Sequence, residues 1–488
     1  MKFSNKGFAS CIIAFFLLLI CWSFSSPIGS GVDTDYHLAS IWCSNGYREN
    51  VCIEPDTGVS QFEAKNTALV PYMFQMCDDR NIYFWPYCEF ESSHPEIQEL
   101  RMASPQNLSL YYRITNVFAG SNVPQSVLMI RIFNSFIASF VLALAFKCCT
   151  KRIKFALFSA LTFTLIPYGI QVLPGVNPRS WAVLGVITSW AFLSSYLSTP
   201  RSEVKLRRWQ LSAYFFAFFL ALASRVDSAL MVAISSLFIF AIWRLPNWKF
   251  QKATIVKGLS FVGLVLILIR LVPQIRSATD IAIPPSYTWP QYLLFEIVHI
   301  PEFFSDWWGY KVGQQGNGPG ILGIIGLGLY LICIAFALQK SDLRQRIIAS
   351  SFSVIVFIIF LKSTIAIGGI VPAAGAYSLG LAAPLLGISI VYSRSNFQFM
   401  SSNGNRKTAI VLLSGAHAIS FYAWMEFFTR RGKGVGFYEN LSLNGTWWWD
   451  TWVSPNVVFI AGAALFPIFL TLAWRSIPLE LEESPELR

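Results

Sequence analysis

The chain has 488 residues, 54% of them hydrophobic, 16% aromatic and only 13% charged, with a mean hydropathy of +0.51. So little charge cannot coat a water-soluble globule of this length, which leaves a polytopic membrane protein. The net charge of +11 gathers in alternate loops between apolar runs, so it reads as a topology signal and excludes a nucleic-acid-binding surface.

A run of about 20 apolar residues crosses a bilayer core. The pattern predicts an all-α protein with about twelve spans, centred near Phe16, Phe136, Thr164, Ser189, Phe218, Ser236, Val265, Tyr330, Val356, Pro384, Leu413 and Ala464. Residues 1–488 are expected to form one integral-membrane domain. The first span is preceded by Lys2 and Lys6, but no A-x-A-like cleavage site follows and Pro27 disfavours cleavage, so an uncleaved anchor is expected. Basic residues follow every second span: Lys147, Lys151, Arg152 and Lys154; then Arg201, Lys205, Arg207 and Arg208; then Arg244, Lys249, Lys252 and Lys257. Lys340, Arg344 and Arg346, and later Arg394, Arg406 and Lys407, continue the alternation. The positive-inside rule then puts both termini in the cytoplasm of a cell membrane.

The remaining loops carry the polar mass. The largest are residues 25–124, 272–320 and 429–455, all on the outer face by the same rule. Cys43, Cys52, Cys77 and Cys88 fall in the first of them, an even set on the oxidising side that predicts two disulfides. Three connectivities are open, and sequential pairing closes the shortest loops. A zinc site is the rival, but short Cys pairs and clustered His partners are lacking. Between Gln106 and Gly120 the residues Leu108, Leu110, Tyr111, Ile114 and Phe118 have helical spacing and predict an amphipathic helix on the membrane or on the protein. Phe295 to Trp308 is a second aromatic-rich segment. Trp447, Trp448, Trp449, Asp450 and Trp452 crowd the last loop, either as interface anchors or as a platform for sugar C–H faces. His417 and Glu426 are ionisable groups in the eleventh span. The chain has no evident repeat, glycine-rich phosphate loop, nucleotide motif or serine-nucleophile elbow.

Asp33-Thr34-Asp35-Tyr36-His37 follows the first span by fewer than ten residues. Two carboxylates and an imidazole there can activate a hydroxyl, share a divalent cation across a non-helical i, i+2 pair, or stay solvated in a turn. The stretch Ser26-Pro27-Ile28-Gly29-Ser30-Gly31-Val32 leading into it is similar to a signature of the bacterial membrane family catalogued as domain of unknown function 2142, above all its actinobacterial members. Asn177-Pro178-Arg179-Ser180-Trp181 and Ser224-Arg225-Val226-Asp227-Ser228 resemble further family motifs. Two departures stand out. Ala374-Gly375-Ala376-Tyr377 keeps only the Tyr of the family's Gln-x-Arg-Tyr-like motif, and Asp306-Trp307-Trp308-Gly309 lacks the acidic residue that normally follows.

That family is usually placed with the GT-C glycosyltransferases, and the resemblance implies a sugar moved from a polyprenyl-phosphate donor to an envelope glycan or lipid acceptor on the outer face. It implies a catalytic Asp33 or Asp35, with His37 matching the family's His after the acidic position. Donor phosphate then needs a cation at the interface. Arg225 is the first choice, with Arg179 and Arg276 behind it, because the guanidinium fork matches phosphate oxygens. Asp227, Asn177 and Tyr377 would support them, and Trp448, Trp449 and Asp450 would receive the acceptor. A divalent cation, Mg or Mn, is compatible with the paired carboxylates. Competing readings are a lipid-linked-sugar or polysaccharide flippase and a non-catalytic envelope-assembly subunit. Transporters usually carry midplane charges and internal repeats, whereas the acidic residues here concentrate in loops.

Overall fold

Residues 7–24 contain no charge and are built of Ala, Ile, Phe, Leu and Cys, so in lipid their backbone can be satisfied only within a helix of their own. They form most of α1 (Asn5–Phe24). The structure is a computed structural model that describes residues 5–28, 34–48, 51–52, 67–71, 97–101, 109–165, 169–244, 291, 328, 330–335, 379–392, 403–429, 440–442, 447, 449 and 451–476. After α1 come α2 (Thr34–Trp42), α3 (Leu110–Thr115) and a 3₁₀ turn (Asn116–Phe118). Then follow α4 (Val123–Cys148), α5 (Lys151–Leu165), α6 (Arg179–Ser198), α7 (Val204–Ser224) and α8 (Val226–Arg244). The later described helices are α9 (Leu379–Tyr392), α10 (Asn403–Thr429) and α11 (Pro455–Ser476).

Among the described residues, five helical stretches are long and apolar enough to cross a membrane: Gly7–Phe24, Val123–Cys148, Arg179–Ser198, Arg406–Glu426 and Pro455–Ser476. Ser228–Phe240 and Ala382–Val391 are shorter apolar helices. Each coincides with a predicted span. Thr164 and Phe218 fall in α5 and α7, while the centres at Val265 and Val356 lie outside the described residues. The described residues therefore carry fewer full crossings than the twelve expected from the whole sequence. The all-helical expectation also gives way within 25–124. There β1 (Thr67–Pro71) pairs antiparallel with β2 (Ile97–Arg101), Thr67 opposite Arg101. A ribbon of this kind is tolerated in a loop because water can satisfy its open edges, which lipid cannot.

Two ends of the bundle differ in chemistry. At one, the Gln210 side-chain amide donates to the Cys148 carbonyl and to the Thr199 hydroxyl, each at 2.9 Å. This joins the end of α4, the end of α6 and the start of α7, so the basic clusters 147–154 and 201–208 share one face. Arg406 at the start of α10 donates to the Trp474 carbonyl of α11 at 3.1 Å. Trp474 in turn packs edge-on against Phe158 of α5. The alternation read from charge is thus one end of a physical bundle.

Helices α6 and α7 lie very close. A Cβ on Gly185 would stand 2.5 Å from the Ala217 carbonyl oxygen, so only glycine permits this approach, a common device where helices pack in lipid. α7 and α8 fold back as a hairpin, with the Tyr214 and Ser236 hydroxyls 2.9 Å apart across it. Their connection is the single extended residue Arg225 (φ −157°, ψ 140°). His417 is fully buried in the seam of α1, α10 and α11, where its Nε2 accepts the Trp22 indole N–H at 3.2 Å and its ring stacks on Phe466 at 4.2 Å.

Candidate functional site at the end opposite the basic loops

The exit of α1 is held from three sides. A helix ends with carbonyls that lack intrahelical partners, and here those at and just beyond the end find donors from distant segments. Arg131 of α4, 5% exposed, donates to the carbonyls of Ser23 (2.8 Å), Ser26 (2.7 Å) and Pro27 (2.8 Å). A cation at a helix C-terminus also opposes the negative end of the helix dipole. Trp449 of the last loop donates its indole N–H to Phe24 O at 2.8 Å, and Arg131 lies 5.6 Å from that Trp ring centroid. Trp424 of α10 donates to the Ser25 hydroxyl at 3.0 Å. The clamp sits immediately upstream of the acidic segment.

α2 begins at Thr34. Of the two carboxylates, for which base, cation-sharing and solvated-turn readings are open, Asp35 stands in the first turn of this helix. Asp33 lies outside the described residues, and only the backbone of Asp35 is described. His37 is buried, with Nδ1 2.8 Å from the Tyr112 hydroxyl. Tyr112 belongs to α3, the helix predicted from the pattern after Gln106, and it lies against the protein. Asn116 ties the two segments further, its amide donating to the carbonyls of Ile41 (2.7 Å) and Trp42 (3.1 Å). The predicted Cys43–Cys52 disulfide is present just past α2, with Cα atoms 5.3 Å apart. Cys77 and Cys88 lie outside the described residues.

The two tyrosines of α3 draw the other motifs in. The Tyr111 hydroxyl accepts the Asn134 amide at 3.1 Å and interacts with the Asn177 backbone. Asn134 also donates to Gly175 O at 2.8 Å and accepts the Trp181 indole N–H at 3.0 Å. Asn177 turns back to accept the Arg179 backbone N–H at 2.8 Å, starting α6, and Arg179 itself is buried. Burial pushes the Tyr112 hydroxyl far above the usual phenol range, aided by Tyr36 and Tyr111. The Arg225 charge and the Ser40 hydroxyl pull the other way. Tyr112 thus keeps its proton at neutral pH, and Arg225 lies close enough for its charge to be felt at the phenol. In the neutral state the phenol can donate to the His37 imidazole or accept from it, depending on the tautomer.

The structure thus brings His37, the Asn177–Arg179 turn and Arg225 around Tyr111 and Tyr112. Trp449 is 4% exposed and engaged with the α1 exit. Asp227 is in the first turn of α8, with its backbone alone described. Arg276, Tyr377, Trp448 and Asp450 lie outside the described residues. Among the described residues no three His, Cys, Asp or Glu side chains gather as a metal set. Sequence reasoning passed over Arg131 and Tyr112. Arg131 carried a usable signal, a lone charge eight residues into a long apolar span; Tyr112 carried little beyond its place beside Tyr111.

A family model described as a predicted membrane protein (DUF2142) matches residues 16–291. The chain belongs to the DUF2142 family. No curated protein and no solved structure matches it. The matched stretch of this DUF2142 chain contains the whole tyrosine hub, from His37 through Asn177 and Arg179 to Arg225. Trp424 and Trp449, which complete the α1 clamp, come from beyond it.

Proposed function

We propose that this membrane protein is an inverting GT-C-type glycosyltransferase, taking a sugar from a polyprenyl-phosphate donor and passing it to an envelope glycan or lipid on the outer face. The supporting observation is the convergence of three family motifs, far apart in sequence, on Tyr111 and Tyr112. An acidic segment and a guanidinium near one phenol supply the base and the cation that such a transfer can use. Asp33 or Asp35 takes the proton of the acceptor hydroxyl as its oxygen forms a bond to the anomeric carbon. The bond from that carbon to the phosphate oxygen breaks, and the phosphate leaves with the electron pair, its charge met by Arg225. His37, hydrogen-bonded to Tyr112, orients the acidic helix. Arg179 and Arg276 are secondary phosphate contacts, Asp227, Asn177 and Tyr377 support them, and Trp448, Trp449 and Asp450 border the acceptor path.

The test is incubation of purified full-length protein with a radiolabelled polyprenyl-phosphate sugar. Release of polyprenyl phosphate, lost in Asp33→Asn or Asp35→Asn, is the expected result. Passage of the intact donor across a vesicle bilayer without cleavage would support the flippase reading. Neither cleavage nor passage would leave the assembly-subunit reading.

A further inference from the structure

The basic end of α7 carries a cleft of about 580 Å³ lined by Val204, Lys205, Arg208, Trp209 and Ser212. The three basic side chains of this segment are used differently. Arg207 is consumed by the fold, donating to the carbonyls of Tyr196 (3.0 Å) and Thr199 (2.7 Å) with its guanidinium 4.1 Å from the Tyr196 ring centroid. Lys205 and Arg208 are exposed on the opposite face and make no ion pair among the described residues. Glu203 is the sole carboxylate between Lys147 and Ser212, while Lys147 at the end of α4, Lys151 and Arg152 at the start of α5, and Arg201 before α7 add positive charge.

Below the basic pair the same face turns apolar. Trp209 is 57% exposed, and the stripe continues through Phe215 (58%), Phe219 (42%) and Leu222 (48%). On the flank, Phe216 meets Phe140 of α4 edge-on, with ring centroids 5.8 Å apart. Cations above, an amphipathic indole at the boundary and an apolar stripe beneath match one ligand from top to bottom. We propose that this cleft binds an anionic phospholipid of the surrounding bilayer. Its phosphate lies against Lys205, Arg208 and the Ser212 hydroxyl, its glycerol region against Trp209, and its acyl chains along Phe215, Phe219 and Leu222. A lipid satisfies both halves of the face, whereas a free anion satisfies only the upper one.

The test reads lipid retention by native mass spectrometry, using full-length protein reconstituted in phosphatidylcholine vesicles with or without phosphatidylglycerol. Retained phosphatidylglycerol should exceed phosphatidylcholine. Affinity should fall roughly 30-fold in the Lys205→Gln/Arg208→Gln variant, the loss expected for two surface charges facing an anionic lipid. The control Lys151→Gln/Arg152→Gln, which removes equal charge from the neighbouring start of α5, should change it only slightly. Equal losses in both variants would mean diffuse attraction to the charged end and would overturn the site. So would equal retention of the two lipids, or full displacement of phosphatidylglycerol by inorganic phosphate. The outcome is independent of whether the protein transfers sugar.

Discussion

Arg131 shows how much one side chain can govern at this end of the bundle. Its guanidinium is removed from water and meets three carbonyls at the α1 exit, bonds to a charged group that contribute about 1.5–3 kcal/mol each. Arg131→Met should lower the stability of the purified protein by roughly 3 kcal/mol or more, read as a drop in thermal midpoint. Arg131→Lys should recover only part of it, because an ammonium cannot span three acceptors in a plane. An unchanged midpoint in both variants would mean that the clamp contributes nothing. Asp33→Asn and Asp35→Asn act differently. On the proposed transfer, the substitution at the base keeps the shape and removes the proton acceptor, so transfer should fall by about 10² to 10⁴ with normal expression. Full complementation of a deletion by both single variants and the double variant would remove the assignment. Arg225→Lys keeps the charge but loses the fork, so donor affinity should weaken by about 1.5–3 kcal/mol. Donor KM unchanged in Arg225→Ala but raised in Arg179→Ala would move the phosphate to the α6 side of the hub.

At the scale of elements, the close approach of α6 to α7 fixes where Arg225 stands, because Arg225 is the residue on which α7 ends. Gly185→Ala pushes a methyl group into the Ala217 carbonyl. Backbone on both sides has to give, at a cost of about 1–3 kcal/mol. The thermal midpoint should fall, and any donor-dependent activity with it, while Gly415→Ala, where a Cβ meets nothing within 4 Å, should be neutral. α2 is fixed differently, by the Cys43–Cys52 disulfide just after it and by Asn116 on its last carbonyls. Mass spectrometry of unreduced, alkylated protein should recover the Cys43–Cys52 peptide pair and also a Cys77–Cys88 pair. Finding Cys77 and Cys88 as free thiols in protein from its native envelope would refute the second bridge.

At the scale of the whole molecule, the bundle is polar end to end. Basic loops gather where Gln210 joins α4, α6 and α7, and the acidic segment, the tyrosine hub and the tryptophan clamp gather at the other end. The expected twelve-span arrangement with both termini on the side of the basic loops predicts that reporters fused at residues 1 and 488 report the same side. Thiol probes that cannot cross the membrane should label a cysteine introduced at Asn45 and not one introduced at Arg201, both exposed positions. Labelling of both from the same side would overturn the topology.

The membrane class, most helix positions, the polarity of the loops and the Cys43–Cys52 bridge were legible in the sequence because each depends on local composition. A span needs only a run of apolar residues, and a basic loop only its own charges. The family motifs were legible as short strings, but nothing in them said that they meet. The meeting depends on two tyrosines in a six-residue helix, separated from His37 by more than 70 positions and from Arg225 by more than 110. The α1 clamp is still less local, joining Phe24 to Trp449. Trp449, read from its type and loop as either a sugar platform or an anchor, turns out to spend its N–H on a backbone carbonyl. Which polar group satisfies which buried partner is settled by packing across the whole chain, and no window of sequence contains both halves of such a pair.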